Sequence, residues 1–397
     1  MKSEVRQWFN SRFTLEKHNS LLQHFEDNYP GQLGYRISES PVFLTDEFKD
    51  QLLSACDAIL DQLSKIPDAT LEKAVPPSMH VPGKQNRPHF MSIDFGICSN
   101  DEGVLQPQLI EMQAFPSLFC YQLELGLQYF KEYGLGDQHE FLFNKQSPEA
   151  YLESLRKLII GNEATEEVIV LELFPEKQKT RIDFVLTEKY LGIKTVCLTK
   201  IIKKGTKLFY ESKGKKIPIK RIYNRLILED LQKHETPETS FKMTDEVDVE
   251  WITHPDWFFK ISKVILPRLD HPNVPKSYFV NEIPEGEDLK KYVLKPLYSF
   301  AGQGVKLSPE PSDINNLSDP HNYILQKKVS YAPAFLDINS ELARAEIRMM
   351  YIWPDDEPKP VPAINLVRMT KSEMINVDHN KAHNLFTGSS IALFSRK

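Results

Sequence analysis

The chain has 397 residues, 41% of them hydrophobic and 26% charged, with a formal net charge of −6. That length holds about two or three ordinary domains, and the acidic balance excludes a general nucleic-acid binder, whose electrostatic footprint is basic. Four cysteines (Cys56, Cys98, Cys120, Cys197) form no Cys-x-x-Cys pair, the charged start lacks a signal-peptide core, and no long uncharged apolar run follows. A reducing, cytoplasmic setting with no membrane span is therefore expected.

Thr45 before Asp46 and Glu47 reads as a capped helix start, with Phe48, Leu52, Cys56, Ile59 and Leu63 near one face. Five prolines from Pro67 to Pro88 predict a loop over 67–88. His89 to Ile97 then alternates apolar and polar positions, breaks at Ser99–Gly103, and resumes from Leu105 to Gln113. This is a hairpin pattern, with Asp94 on its first strand. Glu111 and Gln113 are two apart on the second, so they leave the same face and can offer oxygens to one hard cation such as Mg²⁺. Ser117 is expected to cap a helix from Leu118 to Tyr133, stopped by Gly134.

In the middle, Ser147-Pro148 opens a helix ending at Gly161, and Glu167–Phe174 is a β-branched apolar run. Thr180–Leu191 reads as a helix stopped by Gly192, and Ile193–Leu198 as a further strand. Strand, helix, strand with short connections implies a parallel βαβ unit. The lysine-rich run from Lys200 to Lys220 fits a solvated hairpin with Gly214 at its tip or a phosphate-facing lid. Asn224-Arg225 marks either a hairpin end or a return toward a cleft. From Thr253 a capped helix carries Lys260 and Lys263, and mostly strands follow.

Lys295 ends an apolar strand, and Gly302 and Gly304 stand just beyond it. Glycine lets backbone N–H groups turn toward an anion, and the lysine adds a point charge, while an ordinary hairpin turn is the alternative reading of the two glycines. No Gly-Lys-Ser/Thr follows, so this is not a P-loop, and no third glycine opens a dinucleotide fingerprint. Glu346 and Arg348 share a strand face, so a mutual pair is one reading of them and a ligand role for Glu346 the other, while Asp94 caps its hairpin, holds Arg368 or meets a ligand. His379 and His383 lack a third metal ligand in the sequence around them.

Read in order, Ile93-Asp94-Phe95, Ile110-Glu111-Met112-Gln113 with Pro116-Ser117, Leu294-Lys295-Pro296 with the two glycines, Tyr323-Ile324-Leu325-Gln326 and Leu366-Val367-Arg368 form a series. The series resembles the circularly permuted ATP-grasp ligases, chiefly eukaryotic-type glutathione synthetase and more loosely glutathionylspermidine synthetase. The resemblance implies an α+β fold, a circularly permuted ATP-grasp body built from 1–144 and 241–397, with an inserted α/β domain at 145–240. It also implies an ATP- and Mg²⁺-dependent ligase that joins a carboxylate to an amine through an acyl phosphate. Under it, Lys263 and Lys295 meet ATP phosphates, Glu111 and Gln113 bind Mg²⁺, and Gly302 with Gly304 forms a cover. Gln326, Lys327, Lys328 and Val329 are the adenine-reading hinge, Glu346 holds the ribose or a metal, and Asp94, Ser117 and Arg368 face the substrate, Arg368 and Lys295 being the catalytic pair. The implied partners are small-molecule carboxylate and amine substrates, with no nucleic acid and no membrane, and a homodimer is compatible.

Three positions depart from the family pattern. Gln113 replaces an asparagine, Ser299 a metal-binding glutamate, and Ser92 an arginine two before the aspartate. These changes imply a substrate other than that of glutathione synthetase. They also motivate two alternatives, a catalytically inactive nucleotide-binding regulator and a ligase modifying a peptide tail.

Overall fold

The computed structural model describes residues 3–228, 231, 238–299, 302–372 and 385–396, so the His379–His383 pair lies outside the described residues. Its largest sheet joins distant parts of the chain. The strands Gly388–Ser390, Val361–Thr370, Leu342–Ile352, Phe90–Ser99 and Leu105–Gln113 lie side by side in that order, each antiparallel to its neighbour. The expected hairpin is thus present, and the C-terminal strands complete its sheet. Phe90–Ser99 is central and buried along nearly its whole length, including the polar Ser92 and Asp94. Its apolar positions, with Ile347, Met349 and Val367 from the neighbouring strands, belong to the main core.

Helix starts with a short-range cap form as the sequence implies. Thr45 Oγ1 accepts from the Phe48 amide at 3.2 Å ahead of helix Asp46–Leu63, which buries Phe48, Leu52, Cys56, Ile59 and Leu63. Ser147 caps Pro148–Ile159 in the same way through the Ala150 amide. Helix Phe119–Tyr133 is different, and the expected Ser117 cap is not used. Leu118 adopts a left-handed conformation at the N-cap, and the Asp183 carboxylate accepts from the Leu118, Cys120 and Tyr121 amides at 2.8, 3.1 and 3.0 Å. A buried carboxylate can satisfy several orphan amides of a first turn at once, which a single hydroxyl cannot.

Asp183 belongs to helix Arg181–Leu191, the crossover of the expected βαβ unit between Val168–Glu172 and Lys194–Cys197. These strands form a parallel sheet in the order Glu250–Ile252, Arg221–Asn224, Val168–Glu172, Lys194–Cys197. The lysine-rich run makes its own small antiparallel sheet, and its hairpin turns at Lys213-Gly214, both with positive φ. A third larger sheet orders Ser277–Phe279, Tyr323–Lys327, Tyr292–Pro296 and Lys306–Leu307, so the Lys295 strand pairs back on Lys306–Leu307 as an antiparallel hairpin.

Two further expectations are corrected. The 67–88 segment carries a short helix, Asp68–Glu72, and a 3-10 turn, Pro77–Met79. The capped helix expected through Lys263 stops after Trp257–Lys260, because Ile261 is extended and Ser262 caps a separate 3-10 turn, Lys263–Arg268. Asp256 makes no cap because its carboxylate is taken by His80 and the Val81 amide. No helix among the described residues is long and apolar enough to cross a membrane.

The Asp183 contacts generate a stability test. Asp183→Ala strands three buried amides and should cost roughly 2–4 kcal/mol in urea unfolding, whereas Ser117→Ala should change stability by less than about 0.5 kcal/mol. Equal effects of the two variants would contradict this assignment of the cap.

Candidate functional site

A cavity of about 500 Å³ opens between the largest sheet and the carboxyl ends of two parallel strands, where Glu172 ends one strand with Leu173 after it, and Arg225 and Leu226 follow the other. Carboxyl ends of parallel strands leave a natural crevice for ligands. Its walls combine two chemistries. Among the described residues, Arg36, Lys179, Arg225, Lys263, Arg348 and Arg368 line it against two carboxylates, Glu111 and Glu172. Phe115, Phe258, Ile227 and Tyr298, which belong to one hydrophobic cluster, line it as well, and the Arg225 guanidinium lies 4.9 Å from the centre of the Phe115 ring. A ligand matched to this site carries both negative groups and an apolar or aromatic body.

The register of the large sheet builds the charged wall. Asp94 stands opposite both Glu111 and Arg348, and Glu346 opposite Arg368. Arg348 grips Asp94 with two hydrogen bonds, Nε to Oδ1 at 2.8 Å and Nη2 to Oδ2 at 2.6 Å. Arg368 reaches the same Asp94 Oδ2 at 2.6 Å and also pairs with Glu346. The alternative of a mutual Glu346–Arg348 pair is therefore not formed, since a cross-strand register partner is closer than a residue two along the same strand. Glu111 lies 3.4 Å from Lys263 and 3.7 Å from Arg348. Burial alone would push the Glu111 carboxyl up, but Lys263, Arg348, Arg368 and Lys295 outweigh it and hold it down at about 2. Burial raises Glu346 in turn, against the pull of Arg368.

Of the residues singled out in sequence, Glu111, Gln113, Ser117, Lys263 and Arg368 all line the cavity. Asp94 is fully buried behind its arginines rather than on the wall. Lys295 and Gln326 face each other: Lys295 Nζ donates to Gln326 Oε1 at 2.5 Å and to the Ile110 carbonyl at 3.2 Å, and Gln326 Nε2 donates to the Leu109 carbonyl. Together they staple the Lys295 sheet to the Glu111 strand, beside the cavity. Lys327 and Lys328 are exposed and Val329 is half-buried. Gly302 and Gly304 are exposed with φ of +77° and +68°, and a Cβ at Gly304 would meet Pro296 at 2.8 Å, so glycine is required there. Gln303 between them reaches the cavity wall. Arg348, Arg36 and Lys179 were not identified as site residues. Arg348 follows Arg344 and Glu346 at every second position of one strand, and this alternation of charged with apolar residues is the available signal.

The fit to Mg²⁺ is poor on the protein side. Glu111 and Gln113 do face the cavity, yet both Glu111 oxygens meet cations, and Ser299 offers its carbonyl to Lys263 Nζ at 2.7 Å. Among the described residues no three His, Cys, Asp or Glu side chains gather as a metal-ligand set. A hard divalent ion needs several oxygens, so these residues would not hold one by themselves.

No protein-family model matches the sequence, and no curated protein is significantly similar to it. Among solved structures, a glutathione synthetase like-effector from Globodera pallida in its apo form matches at 11% identity and a TM-score of 0.56, over 90% of this chain and 94% of that one. The chain therefore has a glutathione synthetase-like fold, a mixed α/β arrangement of several sheets.

Burial, with Lys263 adding to it and Glu111 opposing it, lowers the Lys295 ammonium from 10.5 to about 8. Its side-chain NMR signals should titrate near that value. The unfolded chain keeps this proton up to 10.5 while the folded protein gives it up at about 8, so wild type should gain stability relative to Lys295→Met as pH rises between the two. A Lys295 signal that titrates only above pH 10 would overturn the assignment.

Proposed function

We propose that this chain binds ATP and a small carboxylic acid in the one cleft and joins the acid to an amine, as a ligase of the circularly permuted ATP-grasp type. The observation that carries this reading is a cavity lined both by six cations and by an aromatic cluster. The reaction asks little of a protein nucleophile. The acid's carboxylate attacks the γ-phosphorus, ADP leaves, the amine attacks the acyl carbon, and inorganic phosphate departs. The protein must hold two anions together and lower their repulsion, which is positioning and electrostatic work.

Roles follow from chemistry and place. Lys263 on the wall and Lys295 beside it are assigned to the phosphates, with the Gly302-Gln303-Gly304 turn over them. Arg225 and Arg368 are assigned to the acid. Each lines the cavity, each Nε is buried without a hydrogen-bond partner among the described residues, and a guanidinium can fork onto a carboxylate. Arg225 is oriented by its bonds to the Phe115 and Pro116 carbonyls at 3.4 and 2.7 Å. Arg368 carries a structural share as well, through Asp94 and Glu346.

A second reading is a nucleotide-binding regulator without turnover. Ser299 in place of a family glutamate and the cations on Glu111 favour it. Incubating the protein with ATP and panels of acids and amines, and measuring ADP and phosphate, separates the two. Release that needs both an acid and an amine supports the ligase, and saturable ATP binding without release supports the regulator. In the ligase case Arg225→Ala should raise KM for the acid by about tenfold or more, one charged contact being worth at least ~1.4 kcal/mol, with kcat less affected. An unchanged KM in a folded variant removes Arg225 from the acid site.

A further inference from the structure

Every carboxylate oxygen of the Asp94–Glu111 pair is already matched by a cation of the chain. Asp94 Oδ1 accepts from Arg348 Nε at 2.8 Å, and Asp94 Oδ2 from Arg348 Nη2 and Arg368 Nη2, each at 2.6 Å. Glu111 Oε1 lies 3.7 Å from Arg348 Nη2, and Glu111 Oε2 lies 3.4 Å from Lys263 Nζ. Among the described residues, Arg348 alone pairs with both carboxylates. Its place is fixed by backbone register, Arg348 opposite Asp94 and Asp94 opposite Glu111, and its side chain is only 11% exposed. A divalent cation at Glu111 would have to displace the guanidinium or sit beside its charge, with the Lys263 ammonium on the other side.

We propose that Arg348 is the resident counter-cation of this cleft. With Lys263 it neutralises Asp94 and Glu111 in place of a divalent metal, so that the nucleotide enters as the metal-free polyanion and its phosphates are met by lysine and arginine. The inference rests on the nucleotide reading for its ligand, while the exclusion of metal rests on the Arg348 geometry alone. Guanidinium is suited to the task because it is always charged, forks onto carboxylate and phosphate oxygens, and does not dissociate from the chain.

The test has two arms on the full-length protein. In the first, Mn²⁺ alone is titrated and followed by electron paramagnetic resonance. Wild type should bind none up to millimolar concentration, Arg348→Ala or Arg348→Gln should gain a site at least tenfold tighter, Glu111→Gln in either background should abolish it, and Arg348→Lys should still exclude the ion. In the second, ATP is titrated by calorimetry in EDTA and in excess Mg²⁺. Wild type should bind at least as tightly in EDTA, and Arg348→Ala or Arg348→Gln should shift the preference toward the Mg²⁺ buffer. Glu111-dependent Mn²⁺ binding by wild type, or ATP binding at least tenfold tighter with Mg²⁺, would overturn the proposal. If ATP binds in neither buffer, the nucleotide reading fails, and the manganese arm still decides whether Arg348 excludes metal.

Discussion

Asp94 and Arg348 meet because two strands some 250 positions apart in sequence pair antiparallel in one register, and the cleft depends on that meeting. A one-residue slip would turn every side chain of the strand to the other face. It would drive Arg348 and Glu346 into the apolar core and lift Ile347 into the charged cavity wall. Register is thus enforced from both sides, by Ile347, Met349 and Val367 packing below and by the ion network above. A buried ion pair adds little net stability over an apolar one, but an unpartnered buried carboxylate is costly, so the network penalises wrong pairings strongly. Asp94 is fully buried and accepts from two arginines, which makes it the most sensitive point of the arrangement.

What the sequence reveals divides by range. Thr45, Ser147, the βαβ unit and the Asp94–Glu111 hairpin are legible because their signals act within a few residues: a hydroxyl near a first turn, a period of two, a glycine at a helix end. The placing of Glu111, Gln113, Ser117, Lys263 and Arg368 around one cavity came from the order of motifs along the chain. Ser117 as a cap failed because Asp183, distant in sequence, offers the same amides a stronger acceptor. The mutual Glu346–Arg348 pair, one of two readings of those residues, is not formed for a similar reason. Two residues along a strand are about 6–7 Å apart, while a register partner is about 5 Å away, and local sequence does not encode the partner.

Lys295 and Gln326 show how one polar contact can serve two levels of structure. They bind each other across neighbouring antiparallel strands and both reach carbonyls of the Glu111 strand. The sheet that carries the glycine turn is thereby fixed to the sheet that carries the charged wall. Displacing the lysine toward a ligand phosphate would loosen that staple, so occupancy of the cleft and the seating of the two sheets are coupled through a single side chain.

The pairing of Phe90–Ser99 with Leu342–Ile352 also bears on how the protein is made. During synthesis the first of these strands emerges long before its central partner, carrying an edge of unpaired backbone and a carboxylate that needs its arginines. The sheet cannot close until the chain has passed residue 352, so the nascent protein carries a sticky, half-built sheet through most of its translation. The main sheet is therefore completed late, after the parallel sheet of residues 168–252 has been synthesised whole.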